Sequence, residues 1–304
     1  MTRAPSVSVV IPAHKRPVEL RRAIAAARAQ DYAGSIDVTV VFDRAEPDMS
    51  LADEGDRPVR VLANQRAPGL AGARNTGILE STGELVAFCD DDDEWVPEKL
   101  TKQVGVLTRS PESPLVTSSI VINYGDHSTV RRAGTTTVTH DMLVVSRMSM
   151  LHSSTFVFRR SALLGSVGLI DEKIPGSQSE DWDILFRSSA VRPVLHVDEP
   201  LVRVLWGKSS HFSRNWETRI ASSLWILDRY PEVAAHQRGS SRLMGQMAFA
   251  YASLGWRPEA WRWAARSLRA DPLQWRSWLA TGVAVVPRSS ELVLGTLGRW
   301  GRGV

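Results

Sequence analysis

Cysteine is almost absent. Cys89 is the single one in 304 residues, so no intrachain disulfide can form and a reducing, cytosolic setting is expected. Long apolar runs are missing too. No stretch approaches the ~18 or more apolar residues that read as a spanning helix. The opening MTRAPSVSVVIP lacks the h-region of a signal peptide, and its apolar part reads better as a first strand. Secretion and membrane insertion are therefore not expected. Acids are scarce toward the C-terminus. From His236 onward ten arginines face only Glu259, Asp271 and Glu291, a local charge of +7 in a chain that totals +4. Six of the eleven tryptophans lie there as well. The shift in composition places a boundary near Pro231, dividing a main domain (1–230) from an Arg/Trp-rich, α-helical extension (231–304). A basic tail can bind nucleic acid, but no nucleic-acid motif accompanies this one, so no such partner is expected.

What is present is an ordinary globular composition, 43% hydrophobic and 23% charged, and enough chain for a substantial core. The residues to build on are FCDDDDEWVPEKL, 88–100. Four carboxylates, Asp90 to Asp93, follow the apolar run Leu85–Cys89 and precede Pro97, which suits a first helical turn. A bare acidic run is more often a solvated loop. This one follows a buried strand, at the carboxyl end where open α/β sheets bind ligands. Like charges packed so closely need a cation or solvent to compensate them, and hard oxygen ligands suit Mg²⁺ or Mn²⁺ shared with phosphates.

The surrounding pattern alternates strand and helix: strands at 7–12, 36–42, 58–62 and 85–89, helices from Val18 to Gln30 and within Pro68–Thr82. That argues a mostly parallel α/β sheet. Next come a hairpin (114–123 with 128–139), a strand over 152–158, a helix over 180–190 with two acids in its first turn, and a strand over 194–205. Pro200 puts this last strand at an edge or breaks it. After His211 the chain reads as helices at 213–229, 240–254, 258–270 and 272–283. The segment FAYASLGWRPEAWRWAARSLRADP resembles a tetratricopeptide-type hairpin; a single unit cannot form an array, so it reads as a cap.

VSVVIPAHKR, VVFD, GLAGARNTGILESTGELVAFCDDDDEW and SEDWDILFR, in this order, resemble the family 2 glycosyltransferases of the GT-A fold over roughly 7–215. The resemblance implies a nucleotide-sugar donor, a divalent metal and inversion at the anomeric carbon. Pro12 and Ala13 would lie against the nucleoside, with His14 and Lys15 standing where the family often has Tyr-Asn. Asp43 would accept a hydrogen bond from the base, which makes UDP the default donor and dTDP the next. Arg74 and Asn75 look like the donor-contacting pair, and Gly69 and Gly72 would admit backbone close to the nucleotide. Asp90-Asp91-Asp92 corresponds to the family's D-x-D element: Asp92 is the main candidate ligand, with Asp90 or Asp91 toward ribose and water. The run permits a one-residue slip, so which of the four touches metal stays open. Glu180 and Asp181 match the acidic pair, Asp181 as catalytic base. His211 is the candidate histidine ligand.

The expected activity is thus a metal-dependent, inverting transfer of a sugar to a glycan, lipid-linked or small-molecule hydroxyl. Peripheral contact of the tail with the inner face of a membrane is a further expectation. A sugar nucleotidyltransferase is the alternative enzyme, but it needs a glycine-rich loop after the first strand, where this chain has PAHKR. A non-catalytic sugar or nucleotide binder would not need both Asp92 and Asp181.

Overall fold

The computed structural model describes residues 3–125, 127–205, 215–286 and 289–299. In chain order the elements are β1 (Val7–Ala13), α1 (Pro17–Arg28), β2 (Ile36–Phe42), β3 (Val59–Ala63), α2 (Leu70–Glu80), β4 (Leu85–Phe88), β5 (Glu94–Trp95), α3 (Lys99–Thr108), β6 (Leu115–Tyr124), β7 (His127–Arg131) and β8 (Thr137–Val138). They continue with α4 (His140–Val145), β9 (Val157–Arg159), α5 (Arg160–Leu163), α6 (Glu180–Val191), β10 (Val194–Leu205), α7 (Trp216–Arg229), α8 (Pro231–Ala235), α9 (Gln237–Ser253), α10 (Arg257–Ala270), α11 (Trp275–Val285) and α12 (Ser290–Arg299).

Among the described residues the strands join into one sheet, ordered β3-β2-β1-β4-β9-β6-β10-β5, with β7 on β6 and β8 on β10. Pairing is parallel across β3-β2-β1-β4 and between β6 and β10, and antiparallel at β9, β5, β7 and β8. Strand alternation divides the core between two faces. Val7, Val9, Ile11, Leu85 and Ala87 face one cluster with α1 and α3; Val10, Val86 and Phe88 face another with Phe156, Phe158 and α6.

The topology sets the site. From β1 the chain winds outward through β2 and β3, then returns to place β4 on the other side of β1. A crevice opens at such a reversal, beyond the carboxyl ends of the strands. The β1–β4 ladder covers only Val7–Val10 against Leu85–Phe88, whereas β1 pairs with β2 as far as Ala13. Pro12 therefore costs no ladder bond on the β4 side.

Three expectations are corrected. The hairpin's second arm stops at Arg131, and Thr137–Val138 crosses to pair with β10. Only the end of 152–158 is strand. Ser153–Thr155 form a 3₁₀ turn because their side chains bond nearby backbone and the acidic turn instead of entering a ladder. At Pro200, β10 is bulged rather than broken, with register shifts on either side. In the helical tail Ala248 and Ala252 of α9, Ala260 and Ala264 of α10, and Ala280 and Ala284 of α11 share a third cluster, where small side chains let the helices approach. Leu243, earlier on α9, packs instead with Ile226, Tyr230 and Val233 in the sheet's second cluster.

Candidate active site

β4 delivers the chain into the acidic turn, and the turn is held by donors from three directions. The His14 amide and the Arg16 guanidinium reach Asp91 at 2.9 and 3.1 Å, and Arg16 also pairs with Asp92. Ser154 Oγ accepts from the Asp90 amide at 2.9 Å and donates to Asp93 at 2.5 Å. His152 Nδ1 lies 3.2 Å from Asp93. These bonds do not neutralise the turn. Burial, then Asp93, Asp90 and Asp91, push the Asp92 carboxyl up to about 7 against the pull of Arg16. Burial likewise raises Asp91. Burial would lower His152, but Asp93 and Asp90 push it up to about 9.

Arg74 connects this turn to the second acidic site. Its guanidinium is wholly buried, with Asp90 on one side, Glu180 on the other, and Ser153 Oγ at 2.9 Å. Burial, relieved in part by Arg74, pushes Glu180 up to about 7 with help from Asp181 and Asp90. Glu180 and Asp181 open α6, where the helix dipole favours negative charge. The turn before them is strained: Ser177 and Ser179 hold φ of 56° and 74°. Neighbouring elements impose it. Ser177 Oγ accepts the Ala71 amide at 3.1 Å, and Ser222 of α7 donates to the Gln178 carbonyl at 2.5 Å. At Gly176, φ 59°, a Cβ would meet Thr218 at 2.4 Å. Asp181 thereby points Oδ2 at Arg147, 2.5 Å away.

At the other end of the crevice, Pro12 and Ala13 close β1 and Asp43 follows β2. One Asp43 oxygen accepts from Asn64 at 2.8 Å and from the Gly69 amide at 2.9 Å; its other oxygen lies 3.8 Å from Arg44. Ala13, His14, Arg16, Phe42 and Leu51 line a cavity of about 180 Å³ beside it. Gly72 is required by the protein itself, since a Cβ there would meet the Ala67 carbonyl at 1.9 Å. The Asn75 amide is engaged by Ile170 at 2.9 Å and Glu172 at 2.7 Å, tying α2 to the 170–172 segment.

The structure thus gathers Asp90, Asp91, Asp92, Arg74, Glu180 and Asp181 into one continuous network, with Asp43, Pro12 and Ala13 at the neighbouring strand ends. His211 lies outside the described residues. Sequence reading missed Arg16, Arg147, His152, Ser153 and Ser154. Only Arg16 left a trace, as the last residue of AHKR; the other four are joined to the site by tertiary packing alone. Nearby, Trp182 is buried and donates to the Leu143 carbonyl, and His196 is enclosed by Thr117 and Ser119.

The donor set suits a divalent cation. One ligand atom each from Asp90, Asp93 and His152 lies within 4.8 Å of the others. Burial and the neighbouring carboxylates, Asp93 first, raise Asp92 beside them, and a divalent cation would offset that crowding.

The strand-order reversal brings together an acidic turn after β4 and a second acid pair at the start of α6. The family model described as glycosyl transferase family 2 matches residues 8–165, over half of the chain. The chain belongs to that family.

Among curated relatives, the Escherichia coli UDP-Glc:alpha-D-GlcNAc-diphosphoundecaprenol beta-1,3-glucosyltransferase WfgD is 28% identical over 38% of this chain and 47% of its own. The amylovoran biosynthesis glycosyltransferase AmsB of Erwinia amylovora is 34% identical over 34% of this chain and 36% of its own. The chain thus matches about half or less of these relatives' length. The crystal structure of S. aureus TarS 1-349 in complex with UDP aligns with a TM-score of 0.62 at 18% identity, over 98% of this chain and 92% of that one. The TarS 1-349 complex with UDP-GlcNAc gives 0.60. The fold is therefore GT-A, a mostly parallel α/β sheet followed by a C-terminal helical region.

Proposed function

We propose that the protein is a metal-dependent, inverting glycosyltransferase that moves a sugar from a nucleoside diphosphate to an acceptor hydroxyl. The observation that carries this reading is Arg74, a buried cation that spans Asp90 in the acidic turn and Glu180 beside Asp181. It holds a site for the leaving group and a site for the nucleophile at one crevice.

Each residue has a task. Asp43 accepts a hydrogen bond from the base, between the Pro12–Ala13 strand end and the start of α2 at Gly69 and Gly72. Asp90 and Asp92 would hold the ion, with Asp93 and His152 close enough to Asp90 to share it, while Ser154 ties Asp93 into the turn. A divalent ion bound there supplies positive charge to the leaving diphosphate. Asp181 takes the acceptor's proton as the hydroxyl oxygen bonds the anomeric carbon and the bond to the diphosphate breaks on the opposite face. Arg74 keeps the two acid sites in register and offsets the buried charge of Glu180.

UDP is the favoured nucleotide, supported by the UDP and UDP-GlcNAc complexes of TarS; dTDP fits the same Asp43 contact. A glycan or lipid-linked acceptor is supported by the acceptor named for the E. coli relative. The division at Pro231 and a peripheral membrane role for the tail belong to the same proposal. Among the described residues no helix is long and apolar enough to cross a membrane, while Trp256, Trp261 and Trp278 are 51%, 48% and 59% exposed.

Thermal-shift titration with UDP- and dTDP-sugars, with and without Mn²⁺, tests the reading. A nucleotide at a hundred times its Kd adds about 2.7 kcal/mol to stability. A UDP-dependent rise in Tm that Mn²⁺ enlarges is expected. No response to any nucleoside diphosphate, at any Mn²⁺ concentration, overturns it.

A further inference from the structure

The mechanism leaves a group of arginines unused, and one of them, Arg147, is paired with Asp181. Arg147, in the segment after α4, holds Asp181 Oδ2 at 2.5 Å. Its Nε is buried and has no hydrogen-bond partner among the described residues. On either side of it in sequence, Ser146 Oγ accepts from Arg242 of α9 at 2.5 Å and Ser149 Oγ accepts from Arg131 of β7 at 2.6 Å. Arg219 comes from α7, one residue beyond the Thr218 that packs on Gly176 and one turn before the Ser222 that clamps Gln178. Its guanidinium lies 5.1 Å from the centre of the Trp216 ring. A strand, a loop and two helices thus bring cations around Arg147, which pairs with the base.

We propose that Arg131, Arg147, Arg219 and Arg242 seat a phosphoryl group carried by the acceptor. The proposal rests on the glycosyltransferase reading and adds the chemical class of the acceptor. Several guanidiniums close together offer planar, paired donors matched to phosphate oxygens. The location decides which substrate carries the anion. Displacement with inversion requires the nucleophile to approach opposite the leaving diphosphate, so an anion on the Asp181 side belongs to the acceptor. Electrostatics agree with the geometry. Burial and Arg147 push Arg219 down to about 10, and burial, Arg147 and Arg131 lower Arg242, so these guanidiniums lie close enough to repel one another. An anion bound there relieves that repulsion. It also draws on Arg147, the cation that now occupies the Asp181 oxygen required for the acceptor's proton, so a neutral acceptor would meet a blocked base.

The test uses the full chain saturated with UDP and Mg²⁺, which removes the donor's phosphate site from the measurement. Phenyl phosphate, farnesyl phosphate and the neutral farnesol are then titrated calorimetrically. Both phosphates should bind and farnesol should not. Tighter binding of the farnesyl compound assigns the seat to a lipid carrier, and equal binding assigns it to the phosphoryl group of a soluble acceptor. Arg242→Gln and Arg219→Gln should each weaken phosphate binding roughly tenfold, about 1.4 kcal/mol, with UDP affinity unchanged. Arg242→Lys should lose less and serves as the folded control. Phosphate binding that is absent from the UDP-loaded protein, or equal in variants that still bind UDP, overturns the proposal. If UDP itself does not bind, the glycosyltransferase reading fails, and phosphate titration of the nucleotide-free protein still decides the arginine seat.

Discussion

Two groups of arginines differ in what surrounds them. Arg16 and Arg74 sit among carboxylates, and those acids raise both guanidiniums despite burial. Arg219 and Arg242 are lowered by burial and by other arginines. Among the carboxylates, burial first and neighbouring acids second raise Asp91, Asp92 and Glu180, while against burial Arg74 holds Asp90 below its ordinary value. A protein could have neutralised one set with the other. Instead negative charge accumulates where a cation and a diphosphate are proposed, and positive charge where an anionic acceptor is proposed. The sign of the unbalanced charge, more than the residue types, separates a donor side from an acceptor side, with the Arg147–Asp181 pair at the border.

The largest effect that can break this comparison is at that border. Asp181→Asn keeps the shape and removes the basicity. Transfer should fall by roughly 10²–10⁴-fold, with UDP binding retained on the donor side. Transfer near the wild-type rate would move the base elsewhere, with Glu180 first in line.

Next comes the clamp. Arg74→Met leaves Asp90 and Glu180 without their buried counter-charge, a change that costs about 3–5 kcal/mol when one partner of such a pair is removed. Glu180→Gln in the same chain should recover part of that loss, because it deletes one of the two stranded acids. Urea unfolding of the single and double variants measures both. Additive losses would mean that Arg74 and Glu180 are not coupled.

A smaller, pH-dependent effect tests the excess negative charge. Asp92 is lifted from its ordinary 3.8 to about 7. Without metal, the folded protein therefore retains a proton that the unfolded chain releases between those values. Stability falls as pH rises through that window and stays low above it. At roughly 1.4 kcal/mol for each pH step of one across the window, Asp92→Asn should stabilise the metal-free protein by a few kcal/mol at pH 8 and by much less at pH 5. Added Mn²⁺ should reverse the order at pH 8, raising the Tm of the wild type and not of the variant. A benefit equal at both pH values would show that Asp92 is already compensated.

Much of this was legible in the sequence where chemistry and local pattern coincide. The first hundred residues alternate strand and helix with clear stops, and the acidic turn and the Glu180–Asp181 pair announce themselves as charge next to apolar runs. What was hidden depends on tertiary placement. Residues 152–158 look like a strand by composition, yet Ser153 and Ser154 turn their hydroxyls to Asp90 and Asp93. Arg74 and Asn75 read as a matched pair, but one joins the two acid sites while the other ties α2 to a loop. The four arginines of the proposed seat are scattered from 131 to 242, and nothing in their spacing brings them together.

The weakest effect is at the tail, and it extends the charge comparison to the surface. The 3.6-residue period groups Trp261 with Ala264 on one face of α10. In the fold Ala260, Ala264 and Ser267 pack inward, and Trp261 is left outside beside the exposed Arg262, Ala265, Arg266 and Arg269. Leu273, 87% exposed, and Trp278 continue this surface at the start of α11. Exposed indole next to arginine suits the headgroup region of an anionic leaflet, where each basic residue contributes about 1 kcal/mol. Co-sedimentation with phosphatidylserine-containing vesicles should therefore be weak, should fall as salt is raised, and should drop when Trp261 and Trp278 are replaced by Ser. Loss of binding with Arg262→Ser and Arg269→Ser, but not with the tryptophan changes, would assign the contact to charge alone. A full-length protein that ignores such vesicles at low salt would leave the tail as a packed cap, with the positive charge that matters confined to the arginines around Asp181.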